Sequence, residues 1–543
     1  MQDKETQLQS PFADRLHTNY TPLDPEVEQI HRVISGSLAD ISRVDEKISH
    51  LQSMIDELSR EREVLSSFVD AHRALLSGIR RLPSELLQEI FTYCVPDDRR
   101  YDPDALINCA KAPILLGRVC SSWRRTVIST PHLWSSLYIS IFEDMFVEGC
   151  NHNMSRLQQR VAALHHWLEL SGSCPLYISF SCTSSDMEEV EQGMHLAAMS
   201  LFQVLVPSSQ RWEVIDLSLP LSLFVTFFAT FTEDVPLLGC ISLTPIEPGF
   251  VATWYSAPIF RAPSLRSLSL SYLDISLLVV NWNHLIHLDL QGYFTQPLLT
   301  TSKALEILTR CTSLIFCRMT WVHGVDAAPA STISLPFLRS LDITEGLSRT
   351  SDLTGFFDVL KVPGLRNFRY SERHRDVFAS EPGISCKSIL SQPHSPGIES
   401  IELPLMFLSR VAEYLALLPF LKRLSIRNDA IIYEEAPGHR LDDCDLLTLL
   451  TPSSDSGKCL CPRLEEIEFT GCIAITDAVL CSFVTSRTSH HEVTRLKQGK
   501  FSFLRPKTHD ILPELEVQGL SLNITYSNSK KIGRSPALHE SGS

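Results

Sequence analysis

The sequence predicts an α/β chain in three successive parts, and three observations carry that expectation. Apolar residues step by three and four from Val27 to Leu76. Two short segments between residues 79 and 140 carry apolar residues at helical spacing. From Trp212 onward the pattern apolar-x-x-apolar-x-apolar recurs to the end of the chain. The first implies a long N-terminal coiled-coil helix and the second a small helical unit. The third implies a C-terminal stack of strand-and-return units, none able to bury its own leucines alone.

Bulk properties set the limits. A chain of 543 residues with 44% hydrophobic and 20% charged residues is expected to form several soluble globular units. The net charge of −15, from 48 basic against 63 acidic residues, argues against a broad electrostatic grip on nucleic acid. Met1-Gln2-Asp3-Lys4-Glu5 lacks the apolar core of a signal peptide, and Leu217–Phe231 is too broken to span a membrane. Neither nucleic acid nor membrane is therefore an expected partner. The 15 cysteines show no paired framework, which suits reduced thiols in cytoplasm or nucleus. Without secretion the sequons at Asn153 and Asn523 carry no weight.

Residues 1–24 are polar, hold Pro11 and Pro22, and are expected to be disordered. Residues 25–78 are expected to form a coiled coil. Its seam runs Val27, Ile30, Ile34, Ser37, Ile41, Val44, Ile48, Leu51, Ile55, Leu58, Arg62, Leu65, Val69, His72 and Leu76. Only Ser37, Arg62 and His72 break the apolar pattern. The alternative is a lone amphipathic helix folded back on the protein; self-association, giving a homodimer through the coiled coil, is the favoured reading. Beta-branched residues dominate the first seam positions, and Leu the second ones only after Ile48, so a parallel pair fits without being required.

In residues 79–140, Pro83 suits the opening turn of a helix. Leu82, Leu86, Leu87, Ile90, Phe91 and Cys94 then form one broad apolar face. Leu115, Leu116, Val119, Cys120 and Trp123 form a second. So much apolar surface in so short a segment favours a partner. Leu82-Pro83-x-Glu85-Leu86, Ile90-Phe91, Val119-Cys120-x-x-Trp123-Arg124 and Pro131-x-Leu133-Trp134 together resemble an F-box, in order and in spacing. With the helix before it, the module is most similar to the F-box proteins abundant in mushroom-forming fungi. The segment Pro96–Pro113, with Asp97-Asp98-Arg99-Arg100, lengthens the usual connection. The alternative is an ordinary helical hairpin whose Leu and Trp residues are plain core.

Residues 141–200 are expected to be a helical linker or cap. It holds a helix over Arg156–Leu170, stopped by Ser171-Gly172-Ser173, and a strand over Pro175–Phe180. Residues 201–527 carry the repeats, clearest at Trp212, Leu238, Leu265, Leu285, Leu338, Leu365, Ile398, Leu421 and Leu464. A weak copy starts at Leu314 and a further one at Val517. Starts lie 20–33 residues apart as far as Leu421, then 43 and 53. Most of these spacings bracket those of leucine-rich repeats, so the expected architecture is a leucine-rich repeat solenoid, or horseshoe. The copy from Cys461 to Cys472, continuing into Ile475-Thr476-Asp477, is similar to the cysteine-containing repeat of F-box proteins, with Cys472 at the ladder position. Residues 528–543 are expected to be a disordered tail.

No chemistry-bearing constellation stands out. Ser456-Gly457-Lys458-Cys459 lacks the first Gly and the final Ser or Thr of a phosphate loop. There is no Gly-x-Ser-x-Gly and no His-Glu-x-x-His. Cys459, Cys461, Cys472 and Cys481 fit no zinc spacing, and His165-His166 and His490-His491 read as surface or core residues. Neither cofactor, metal nor catalytic residue is expected. The resemblance implies a non-catalytic substrate receptor of an SCF-type ubiquitin ligase. Its F-box would dock on a Skp-type adaptor, which links it to a cullin. It implies adaptor contact by Leu82, Pro83, Leu86, Leu87, Ile90, Val119, Trp123 and Trp134. Strand alternation puts the residues between and beside the paired apolar residues on the concave face, so Asp289, Asp342, Arg369, Glu402, Arg423 and Glu468 are the candidates for holding a protein substrate. Arg369, Arg423 and Arg427 suggest a local basic spot there. The alternative function is a leucine-rich repeat scaffold acting outside ubiquitin transfer.

Overall fold

In the computed structural model the described residues are 10–95, 106–142, 146, 150–183, 187–247, 257–272, 278–292, 299–323, 332–346, 353–372, 386–393, 397–404, 413–427, 443–452, 459–472, 475–491, 493–509, 511, 515 and 520–527. Residues 1–9, most of the lengthened connection (96–105), the phosphate-loop look-alike up to Lys458 and the tail 528–543 lie outside them, as does the side chain of Cys472. The chain divides into two units, residues 1–87 and 88–543.

In the first unit, α1 (Asp24–Leu75) is one uninterrupted helix of 52 residues. Pro25 sits in its first turn, where no N–H is missed. The Glu26 carboxylate accepts the Leu23 N–H at 2.9 Å and the Tyr20 hydroxyl at 2.8 Å, closing the helix start. A short 3-10 turn, Gly78–Arg81, follows. No residue of α1 is buried. The seam residues Ile34, Ile41, Ile48, Ile55, Leu51, Leu58 and Leu65 are all 47–61% exposed. Covering the exposed part of such a side chain is worth on the order of 1 kcal/mol. The helix α2 (Ser84–Cys94) crosses the boundary between the units.

The second unit opens with α3 (Ile114–Val119), α4 (Ser121–Ile128) and a 3-10 turn at Pro131–Trp134. A parallel sheet follows. Its strands are β1 (Ser136–Ile141), β2 (Leu176–Cys182), β3 (Trp212–Leu219), β4 (Cys240–Pro245), β5 (Ser267–Ser271) and β6 (His287–Gln291). The short β7 (Leu299–Thr300) flanks β8 (Phe316–His323), and the small β9 (Ile333–Ser334) lies before β10 (Ser340–Glu345). Then come β11 (Leu360–Lys361), β12 (Asn367–Glu372), β13 (Ser400–Pro404), β14 (Arg423–Arg427), β15 (Glu466–Cys472), β16 (Gln498–Phe503) and β17 (Ser521–Tyr526). Among the described residues, fifteen strands share one sheet whose order follows the chain; β9 and β11 pair separately. The N-terminal helix, the helical region and this strand-rich parallel sheet agree with the α/β class expected.

The core is built copy by copy. In all ten copies from Trp212 to Leu464 the three apolar residues are buried, as with Leu285, Leu288 and Leu290. Parallel register stacks like on like: Leu268 beside Leu288, Leu288 beside Cys317, Leu341 beside Phe368. Helices cover the early strands with aromatic rings. Phe180 lies 4.5 Å from Phe202 of the helix Glu188–Leu205, and Trp212 lies 5.3 Å from Phe231.

Two expectations need correction, and one long gap between copies is explained. The sheet begins at β1, inside the segment expected to be helical to residue 140. Trp134-Ser-Ser-Leu137-Tyr-Ile139 already has the repeat spacing, and all three apolar residues are buried. The gap of 53 residues hides β16, whose copy reads Leu496-Lys-Gln-Gly499-Lys-Phe501. Glycine replaces the second apolar residue because a Cβ there would lie 2.8 Å from Leu522 and 3.0 Å from the Phe501 ring. The last copy is shifted by two residues: Leu522 pairs with Gly499 and Ile524 with Phe501, whereas the spacing had placed Leu520 and Leu522 there.

Candidate functional site

Two surfaces carry the residues singled out by sequence. The first is helical. Along α2, Leu87 and Phe91, four apart, are buried, while Leu86, Ile90 and Tyr93 form a second stripe that is 52%, 42% and 83% exposed. A helix with an apolar stripe left outside its own core is shaped for a partner. In the second unit, Leu116 and Val127 are buried while Leu115 and Val119 are exposed. Trp123 is half-buried, with its ring 4.8 Å from that of Phe91. The Trp123 N–H reaches Cys120 Sγ at 3.4 Å, and Arg124 Nε donates to the Gly117 carbonyl at 2.9 Å, which locks α4 against α3.

Trp134 behaves differently. It is 6% exposed, its Nε1 donates to the Val127 carbonyl at 2.9 Å, and its ring meets that of Trp167 edge-on at 4.8 Å. Trp167 in turn donates to the Leu106 carbonyl at 3.0 Å. Trp134 therefore joins the helical region to the helix Cys150–Leu170 and is the first apolar residue of the sheet's first copy. Neither Leu87 nor Trp134 offers its side chain to a partner, which corrects the sequence assignment for both.

The second surface is the face of the sheet opposite the core. Its middle row, read across register, is Asp289, Arg318, Asp342, Arg369, Glu402, Ser425, Glu468 and Lys500. Charges alternate along it, and each finds its neighbours. Arg318 bridges Asp289 at 3.3 Å and Asp342 at 3.0 Å. Arg369 bridges Asp342 at 3.3 Å and Glu402 at 2.8 Å. Arg427, one step outward where the row holds Ser425, bridges Glu402 at 3.2 Å and Glu468 at 3.3 Å. Lys500 closes the series on Glu468 at 2.7 Å. Four carboxylates and four cations form one continuous ladder over β6 to β16.

Electrostatics follow burial and partners. Burial holds the carboxyls of Asp289 and Glu402 above their ordinary range, against the pull of their arginines. At Glu468 burial pushes the same way but is outweighed by the Lys500 hydrogen bond and the Arg427 charge, and its carboxyl falls below the ordinary range. At Arg318 the acids on both sides outweigh burial and raise the guanidinium.

The structure thus brings Asp289, Asp342, Arg369, Glu402 and Glu468 into one row and sets Arg423 apart. Arg423 lies in a flanking row and is paired with Glu466 at 2.6 Å. The expected basic spot of Arg369, Arg423 and Arg427 is absent, since each of the three faces carboxylates. Sequence reasoning left out Arg318, because its copy has Cys317 where the clear copies have Ile, Leu or Phe. It left out Lys500, because its copy has Gly499. Among the described residues no group of three metal-ligating side chains could hold an ion, and no helix is long and apolar enough to cross a membrane.

Residues 79–140 match the F-box-like family, so the chain carries an F-box-like domain in its helical region. No curated protein matches the chain.

Proposed function

We propose that the chain is a non-catalytic substrate receptor of an SCF-type ubiquitin ligase, with the F-box-like domain docking on a Skp-type adaptor and thereby on a cullin. The F-box-like match at residues 79–140 carries this reading. The exposed stripe of Leu86, Ile90 and Tyr93 supports it, because an apolar stripe outside the core needs a partner. Of the motif residues, Leu82, Pro83, Leu86, Ile90, Val119 and Trp123 are assigned to adaptor contact, and Leu87 and Trp134 to the core beneath. A few apolar anchors of this kind carry most of an interface's energy.

The parallel sheet is read as a leucine-rich repeat array that holds a protein substrate while the conjugating enzyme supplies the chemistry. The receptor contributes proximity. The compensated ladder makes Asp289, Asp342, Arg369, Glu402 and Glu468 a polar platform of little net charge rather than a bait for one sign of charge. In this reading α1 pairs with a second copy through its seam, and the protein works in cytoplasm or nucleus without a cofactor.

Co-purification of the full chain with the Skp-type adaptor tests the proposal. Wild type is expected to bind, and a Leu86→Asp/Ile90→Asp/Val119→Asp variant with unchanged circular dichroism is expected not to. A folded wild type that does not bind the adaptor would sink the ligase reading and leave a repeat scaffold acting outside ubiquitin transfer.

A further inference from the structure

We propose that the exposed seam of α1 is covered by a second copy of α1 running antiparallel, with Arg62 of each copy facing Ser37 of the other. This rests on the self-association put forward above and gives it an orientation. The seam repeats its three-four steps over the helix, so its cover must be a helix of the same period and similar length. Another α1 meets that demand.

Orientation follows from which residues share a layer. In a parallel, in-register pair every seam residue meets itself. Two Arg62 guanidiniums would then face each other in an apolar seam, and Asp40 of one copy would flank Asp45 of the other. In the fully overlapping antiparallel pair, first-position residues meet second-position residues. Ile48 then faces Leu51, Ile41 faces Leu58, and Ile34 faces Leu65. The two beta-branched second positions, Val44 and Ile30, face the beta-branched Ile55 and Val69. Leu occupies the second positions only after Ile48, and that is the half whose partners are the early isoleucines. The same overlap brings the long Arg62 opposite the small Ser37, within Ser35-Gly36-Ser37, and within a turn of Asp40 of the second copy. Asp40 is exposed and pairs with Arg43 at 2.8 Å on its own helix. At the ends, the acidic first turn, Asp24 and Glu26, meets the last turn of the other copy, with His72 and Arg73.

The consequence is spatial. A helix of 52 residues spans about 78 Å at 1.5 Å per residue, so the two chains leave the pair at ends about that far apart. The two F-box-like domains would follow from opposite ends.

The test uses the full chain, with sedimentation to measure the dimer dissociation constant and energy transfer between fluorophores on the two N-termini. Antiparallel pairing predicts weak transfer in wild type. It also predicts that Ser37→Asp, placed opposite Arg62, leaves the dimer as tight or tighter and makes it more sensitive to salt. Parallel pairing predicts strong transfer and about tenfold or greater weakening by Ser37→Asp, since two carboxylates would then face each other; that result overturns the orientation and leaves self-association standing. A helical but monomeric wild type at every concentration overturns self-association and the orientation with it. Energy transfer in wild type decides the orientation even if the variant proves unstable.

Discussion

At the scale of single residues, two buried charges tie C-terminal copies together. Arg487 is fully buried. Its guanidinium donates to the carbonyls of Leu450 at 2.8 Å, Cys461 at 2.9 Å and Leu460 at 2.7 Å. Leu450 ends the helix Asp443–Leu450, so a cation there meets a carbonyl left over at a helix C-terminus. Arg487→Ala would orphan these carbonyls and is expected to cost about 3 kcal/mol in a denaturant titration. Arg487→Lys should rescue only part, because one ammonium cannot match the planar fork. Asp477 is the acidic counterpart. Burial opposes its ionisation, but Arg505 at 2.7 Å, the Thr508 hydroxyl and the N–H groups of Thr508 and His509 hold the carboxyl well below the usual range. A carboxyl lowered by folding contributes stability that is complete above its unfolded value and is lost as pH falls toward the folded one. Wild type should therefore lose stability below about pH 4 in a step that Asp477→Asn lacks, the variant being weaker at neutral pH. Acid unfolding curves that superimpose after this offset would refute that role. Asp289 and Glu402, whose carboxyls are raised, work in the opposite direction and gain on acidification.

At the scale of elements, α2 and the ladder each divide labour among neighbours. Phe91 is buried and Ile90 is not, so Phe91→Ala is expected to cost about 3–5 kcal/mol while Ile90→Ala stays within about 0.5 kcal/mol. Thermal unfolding of the two variants checks this, and equal losses would mean that Ile90 is core after all. In the ladder, Asp342 is 7% exposed and serves two arginines, whereas the Lys500 side chain is 53% exposed and serves one acid. Asp342→Asn is expected to cost about 1–2 kcal/mol once screening at the half-exposed arginines is allowed for, and Lys500→Ala less than about 0.5 kcal/mol. The bulge in β15 belongs to this scale too. Gly471 takes φ 76° where the register shifts between Thr470 and Cys472, and glycine adopts that backbone without strain.

At the scale of the whole molecule, strand order that follows chain order makes the second unit a series of nearest-neighbour layers. Its stability should fall toward an edge whose layer is thin. In β17, Leu522, Ile524 and Tyr526 are only half-buried, while the matching residues of the central strands are fully buried. Amide exchange should therefore release β17 first and β8 to β12 last, and uniform exchange across the sheet would contradict this. The periodicities themselves determined a great deal. Steps of three and four specify a continuous α1, and the x-x spacing of Leu265, Leu268 and Leu270 specifies a buried strand, because both periods follow from backbone geometry alone. Residues 79–140 were legible for a related reason, since four short motifs had to agree in order and distance. Copies with an unusual residue were not legible: Gly499 reads as a break until Leu522 and Phe501 are seen to fill its place. Only the tertiary structure decided the burial of Trp134 and Leu87 and the pairing of charges along the ladder. A Trp in a docking motif and a Trp in a core look alike in one dimension. An Asp on a strand becomes a bait or a brace according to which charge the neighbouring strand, 20 or 30 residues away in the chain, sets beside it.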